Sequence, residues 1–254
     1  MNIQFPTHID WRNWIRRWDR MQDRYIPRRK ERFEIIVRLI ADTQSKVSKV
    51  LDVGCGTGSL MLPILRAFPT AEVWGVDFDA TLLALAEKRL AGFGGRAKLV
   101  EADLRKRNWL SIMPASFDAV VSATTLHWFS PSQLSRLYRQ FGRILRAGGI
   151  FLNADHVCST SKRLQKRWEK HRGLMLSKFR ADDAEGWDGF WLAYGRALKI
   201  NVKDFRKKLM GPWVGCEQGL PLEWHFEKLK ANGFEATDCF WRLDCDAIYG
   251  GIRK

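Results

Sequence analysis

Apolar residues recur along this chain at two periods, and the switches between them mark out its elements. Across residues 10–25, Trp11, Trp14, Ile15, Trp18, Met21 and Tyr25 share a helical spacing, while Arg12, Arg16, Arg20 and Arg24 take other faces. That spacing predicts an amphipathic helix with an aromatic stripe. Pro27 ends it, and Phe33, Ile36 and Ile40 predict a second helix running to about Asp42. Residues 49–53 form a short apolar run stopped by glycines, which reads as a buried strand. The pattern then alternates: a helix over 60–68, a strand over 71–76, a helix over 80–90 and strands over 98–101 and 117–123. A helix over 132–146 follows, closed by Gly148-Gly149, and a fifth strand covers 150–155. Strands and helices alternating at this spacing predict a parallel sheet with helices on both faces.

After Asp155 the rhythm breaks. Residues 156–211 read as helical, with one stripe from Leu164, Trp168, Met175 and Phe179 and another from Trp187, Phe190, Trp191 and Tyr194. Gly211-Pro212 and Gly219-Leu220-Pro221 punctuate the chain. A helix over 222–231 stops at Gly233, and strand-like runs over 236–243 and 247–252 form a terminal hairpin. The expected organisation is a helical cap over 1–46, a core over 47–155, a helical insertion over 156–211 and completion of the core sheet over 212–254.

Composition adds boundaries to this picture. The 254 residues are 46% hydrophobic, ample for one large α/β domain. No stretch approaches the roughly 20 apolar residues of a membrane span, and the aromatic and charged N-terminus has no signal-peptide core. Five cysteines, Cys55, Cys158, Cys216, Cys239 and Cys245, are odd in number and form no CxxC pair. That pattern speaks against a disulfide framework or structural zinc and for a reducing, cytoplasmic compartment. The net charge is +15, contributed chiefly by 1–49 and 156–211. Such a balance favours anionic partners, whether nucleic acid, a membrane surface or a carboxylated substrate, or serves solubility alone.

The sharpest chemical signal is Val50-Leu-Asp-Val-Gly-Cys-Gly-Thr-Gly58. Glycines at 54, 56 and 58 follow a strand and open a helix, where the chain turns tightly and its backbone approaches a ligand. A dinucleotide loop wants a third glycine at 59, which is Ser59, and no phosphate-gripping lysine follows.

At these residues the sequence resembles the class I S-adenosylmethionine-dependent methyltransferases, over most of its length. The family's first motif matches Asp52 to Gly58. Its acidic residue ending the second strand matches Asp77, where a carboxylate can accept from both ribose hydroxyls. Its acid after the third strand matches Asp103, beside the adenine amine. The resemblance implies a doubly wound, seven-stranded, mostly parallel Rossmann-like sheet with an antiparallel last strand. It implies S-adenosyl-L-methionine as cofactor, S-adenosyl-L-homocysteine as product, and donor-site roles for Asp52, Gly54, Cys55, Gly56, Gly58, Asp77, Phe78, Ala102, Asp103, Leu104 and Ala123. Members often close the donor site with an N-terminal Tyr or Arg, which makes Tyr25 and Arg32 candidates within the run Tyr25, Arg28, Arg29, Arg32.

The methyl acceptor belongs at the carboxyl ends of the strands. The segment Ser122-Ala-Thr-Thr-Leu-His-Trp-Phe129 lacks the tetrad of amino-methylating nucleic-acid enzymes and the acid of metal-dependent catechol enzymes. Its Leu-His-Trp cluster is similar to the small-molecule branch, of the trans-aconitate methyltransferase type. His127 is the leading candidate for a general base, because imidazole accepts a proton near neutrality; a packing histidine is the competing reading. His156 is second, while His8, His171 and His225 read as surface or packing residues. Trp14, Trp18, Trp128 and Trp191 are candidates for the acceptor wall; the first two and Trp191 belong to seven tryptophans in or beside the two caps (with Trp11, Trp168, Trp187 and Trp213), and Trp128 to the segment after the fourth strand. No metal is expected. The expected function is methyl transfer to a small-molecule oxygen, by a monomer or homodimer with no membrane partner. The alternatives are an RNA methyltransferase using the basic caps and a non-catalytic nucleic-acid adapter.

Overall fold

The computed structural model describes residues 6, 9–179, 185–201, 204, 215, 216 and 218–254. Its centre is the apolar run predicted around Leu51. Strand β1 (Lys49–Val53) is buried from Val50 onward and pairs in parallel with β2 (Glu72–Asp77) on one side and β4 (Phe117–Ala123) on the other. Strands buried on both faces carry continuous apolar sequence rather than alternation, which is why this segment reads so plainly. Strand β3 (Ala97–Glu101) pairs outside β2, and β5 (Leu145–Cys158) pairs beside β4. The terminal hairpin of β7 (Phe234–Leu243) and β8 (Asp246–Arg253) inserts β8 antiparallel beside β5, giving the order β3-β2-β1-β4-β5-β8-β7. A two-residue strand, β6 (Leu220–Pro221), pairs with β5 off this path and makes eight strands rather than seven.

Helices α2 (Arg29–Thr43) and α3 (Met61–Ala67) cover one face through Ile36, Ile40, Ile64 and Leu65. Helix α5 (Pro131–Ile144) and a helix over Leu222–Ala231 cover the other, through Leu137, Phe141 and Leu229. Among the described residues, no helix is long and apolar enough to cross a membrane.

A third cluster lies above the sheet. Helix α1 (Trp11–Tyr25) turns Trp14, Trp18 and Met21 toward Phe190, Trp191, Tyr194 and Leu198 of α7 (Trp187–Leu198), with Leu82 and Leu85 of α4 (Ala80–Leu90) beneath. The aromatic stripes of α1 and α7 therefore pack chiefly on each other. Helix α6 (Lys162–Phe179) differs from its predicted stripe: Leu164 is 46% exposed and Trp168 lies partly buried under the Arg242 guanidinium. Trp213, His8 and Gly211-Pro212 lie outside the described residues.

One predicted boundary moves substantially. Gly148-Gly149 does not stop the preceding helix, which ends at Ile144. Both glycines lie inside β5, where Phe117 pairs with Leu145 but Ala119 pairs with Ile150. That register shift is a bulge, and Gly148 takes φ +72° within it, a conformation glycine adopts without strain. The strand consequently begins five residues before its predicted start.

Candidate functional site

The sheet order reverses between β1 and β4, and the crevice beyond their carboxyl ends opens into a cavity of about 310 Å³. One wall is the loop after β1. Gly54, Gly56 and Gly58 have φ of +70°, +51° and +72°. The Gly54 and Cys55 amides donate to Val76 carbonyl oxygen at 2.8 and 3.1 Å, anchoring the loop to β2. A Cβ on Gly54 would come within 2.1 Å of the Thr125 side chain, so glycine lets the β1 and β4 loops close on each other. Gly54, Cys55 and Gly56 line the cavity. Gly58 instead turns the chain into α3, packed against Leu90 of α4. Cys55 is buried, and burial together with Asp77 pushes its thiol well above the ordinary range.

Asp77 ends β2 with both carboxylate oxygens engaged, one accepting from the Gly56 amide at 2.8 Å and the other from the Asp79 amide at 2.9 Å. Asp79 in turn caps α4 through the Thr81 and Leu82 amides. Burial raises the Asp77 pKa to about 6. Asp52, at 2% exposure, rises to about 8 through burial and the neighbouring Asp77, and its Oδ2 has no hydrogen-bond partner among the described residues. A buried carboxyl with an unpartnered oxygen on a cavity wall calls for a ligand atom to complete its hydrogen bonding. Phe78 and Leu104 supply apolar wall, and Asp103 lines the same cavity with its carboxylate held by Arg105 at 2.8 and 2.9 Å. Burial pushes the Asp103 pKa up, but Arg105 more than reverses this and holds it below the ordinary value. Ala123 lines the cavity, whereas Ala102 packs against the core below.

The opposite wall is built where β4 and β5 end. After Thr124 the chain makes a single turn over Leu126–Trp128 that brings His127 back over β5. The His127 amide donates to Asp155 Oδ2 at 3.1 Å, and its Nδ1 lies 2.7 Å from Asp155 Oδ1. Asp155 also accepts from the His156 amide at 2.8 Å. Burial alone would raise the Asp155 pKa, but His127 and His156 hold it far below the carboxylate range. His156 forms a second pair, Nδ1 to Asp246 Oδ1 at 2.9 Å, and Arg32 Nη1 donates to the same oxygen at 3.2 Å. The two imidazole rings stand 4.9 Å apart.

Tyr25, Trp18, Trp128, Arg32 and His156 line the cavity; Trp14 and Trp191 are buried in the α1–α7 wedge behind it. Arg32 reaches the β5–β8 end on Asp246, away from the glycine loop. His225 is buried between the Tyr138 and Tyr249 hydroxyls, and burial lowers its pKa to about 4. His171 is exposed and paired with Asp244. No motif in the sequence gives the roles of Asp155 and Asp246, which orient the histidines, or of Arg172 on the wall; Arg29, named within the Tyr25-to-Arg32 run, and Trp187, named among the cap tryptophans, also line it. The acid of Ala154-Asp155-His156 had a usable signal, since it sits at the carboxyl end of a parallel strand. Arg172 and Asp246 had none.

Ligand atoms of His127, Asp155 and His156 lie within 4.8 Å of one another, a set capable of holding a cation. Their atoms already satisfy one another through hydrogen bonds, and Arg32 and Arg172 adjoin His156 or its partner. That environment favours a hydrogen-bonded network over a divalent ion.

Residues 50–149 match the family model described as a methyltransferase domain. That segment is a methyltransferase domain. The chain is similar to the carboxy-S-adenosyl-L-methionine synthase of a Nitratiruptor species, 26% identical over 238 residues, covering 93% of this chain and 89% of that protein. It is similar also to the malonyl-[acyl-carrier protein] O-methyltransferase of Legionella pneumophila, 28% identical over 120 residues, covering 47% of this chain and 40% of that one. An O-methyltransferase family protein from Burkholderia thailandensis shares the fold, with a TM-score of 0.57 at 15% identity over 87% of this chain and 56% of that one. The chain therefore spans well under two thirds of the last two. The methyltransferase core fits its cofactor on its own geometry: a glycine cradle, the Asp77 carboxylate beside it and the unsatisfied Asp52 oxygen.

Proposed function

We propose that this methyltransferase moves a methyl group from S-adenosylmethionine to an oxygen of a small molecule, with His127 as general base. The observation carrying this reading is the His127–Asp155 pair, 2.7 Å apart, in the same cavity as the glycine loop. S-adenosylmethionine, when bound, supplies an electrophilic methyl group on a sulfonium sulfur. The chain's task is to align the acceptor for in-line attack and to take its proton. Asp155, kept ionised, accepts from Nδ1–H of His127. That tautomer makes Nε2 the basic nitrogen, which removes the hydroxyl proton as the oxygen–methyl bond forms. Donor contacts are assigned to Asp52, Gly54, Gly56, Asp77, Phe78, Asp103 and Leu104. Helices α1, α6 and α7 act as caps over the core sheet, and the reaction proceeds without a metal.

Turnover of wild type and His127→Ala, read as S-adenosylhomocysteine released from a panel of phenols and hydroxy acids, tests the assignment. The variant should lose about 10²- to 10⁴-fold in kcat, with S-adenosylhomocysteine affinity unchanged and activity indifferent to EDTA. Wild-type turnover in the variant would make His127 a packing residue.

The near-full-length likeness to a carboxy-S-adenosyl-L-methionine synthase supports a second reading, in which S-adenosylmethionine exchanges a C–H proton for the carboxyl group of a carboxylic-acid co-substrate, which takes up that proton and leaves without its carboxyl. Mass spectrometry of the nucleoside separates the two: it gains a carboxyl group in one and loses a methyl group in the other. The RNA alternative rests on net charge alone.

A further inference from the structure

Two arginines converge on one carboxylate at the β5–β8 end of the cavity. Arg32, from α2, is 1% exposed; its Nη1 donates to Asp246, while its Nη2 has no hydrogen-bond partner among the described residues. Arg172, from α6, lays its amino nitrogens 3.1 and 3.4 Å from the two ring nitrogens of His156. It stands 3.9 Å from Asp246 Oδ2, beyond hydrogen-bonding reach. Both side chains line the cavity. Asp246 already serves His156 and Arg32, so one carboxylate answers two guanidiniums and a histidine.

We propose that Arg32 and Arg172 form a carboxylate-binding subsite for the methyl acceptor, which is a hydroxylated carboxylic acid. The assignment rests on the methyl-transfer reading above. A guanidinium donor buried without an acceptor is costly, and an incoming carboxylate relieves that cost while matching the planar donor geometry. Position separates this subsite from the ribose carboxylate: Asp77 ends β2, three strands from β5, about 14 Å away at ordinary strand spacing. His156 beside the arginines and His127 beside the reacting oxygen are ring neighbours, so hydroxyl and carboxylate lie close together on the acceptor. Trp18, Trp128, Phe129 and Trp187 offer its carbon skeleton an aromatic wall.

Calorimetric titration tests this with 2-hydroxybenzoate and its neutral counterpart 2-hydroxybenzamide, each added to the full chain with and without saturating S-adenosylhomocysteine. The acid should bind the nucleoside-loaded protein at least tenfold tighter than the amide. Arg172→Gln should bring the two to within about twofold by weakening the acid alone. Arg32→Lys, which keeps the charge on Asp246 but lacks the second amino group, should weaken the acid less. An acid no tighter than the amide, or a preference that survives Arg172→Gln, overturns the subsite. A third titration compares S-adenosylhomocysteine with 5′-methylthioadenosine, which lacks the amino-acid carboxylate. If Arg172→Gln weakens only the former, the arginines serve the donor and the acceptor assignment fails. Loss of nucleoside binding in wild type would instead count against the methyl-transfer reading, and is read separately.

Discussion

Asp52 and Asp77 face one cavity, with pKa values lifted by burial from the ordinary carboxylate value of 3.8 to about 8 and about 6. The folded chain therefore holds protons that the unfolded chain releases, and stability falls as pH climbs between about 4 and 8. Asp52→Asn keeps the shape and removes the larger ionisation cost. Urea unfolding should show the variant near wild type at about pH 4 and more stable by about 2 kcal/mol or more at about pH 8; equal stability at both pH values would refute the buried, unsatisfied carboxyl. These acids were legible because their positions are local to the motif, each placed by a strand end and a glycine turn. His127 was legible for the same reason, at the end of β4. Asp155 was legible only as part of a strand, because its partner His127 lies 28 residues away.

At the scale of elements, α1 is tied to the donor loop through a cluster of charged groups. Its Asp19 accepts from Arg89 of α4 at 2.9 and 3.0 Å and from the Ser59 hydroxyl at 3.2 Å, with Arg29 of α2 at 3.4 Å. Trp18 and Tyr25 of the same helix form cavity wall, and the Tyr25 hydroxyl accepts from the Trp187 amide of α7. Loosening this clamp should let the bound nucleoside escape. In Asp19→Asn, stopped-flow dissociation of S-adenosylhomocysteine should speed up about tenfold, the weight of a partly buried ion pair near 1.4 kcal/mol; an unchanged rate would show that α1 does not gate the donor. The heptad-like stripe of α1 predicted its helix but not its partner. Apolar periodicity states which face is buried, and α7 answers it from some 170 residues downstream. Gly148 teaches the complementary lesson. Read locally, a glycine pair stops a helix; in the sheet, the register of β5 against β4 claims it for a bulge.

For the molecule as a whole, the +15 charge lies mostly away from the site. The cavity wall carries four arginines (29, 32, 105, 172) and four aspartates (52, 77, 79, 103), so the excess belongs to other surfaces. Charge so placed attracts anions over distances comparable to the Debye length, about 10 Å at 0.1 M salt. For an acceptor acid, kcat/KM should fall several-fold as sodium chloride rises from about 0.05 to 0.3 M, with little change for its neutral amide. Equal salt dependence for both would remove the steering role.

Local sequence dictates the order of strands and helices, the sharp loop after β1 and the two acids beside it. Each is a short-range matter: periodic burial over a dozen residues, or a positive φ that glycine adopts without strain. Tertiary structure alone decided the β5–β8 end of the cavity. Arg32 and Asp246 are 214 residues apart, and Arg172 meets His156 across the turn from β5 into α6. Their charges find one another only because β8 inserts beside β5 and the caps fold down over it. No local pattern encodes which distant cation a buried carboxylate meets; the closing of the sheet does.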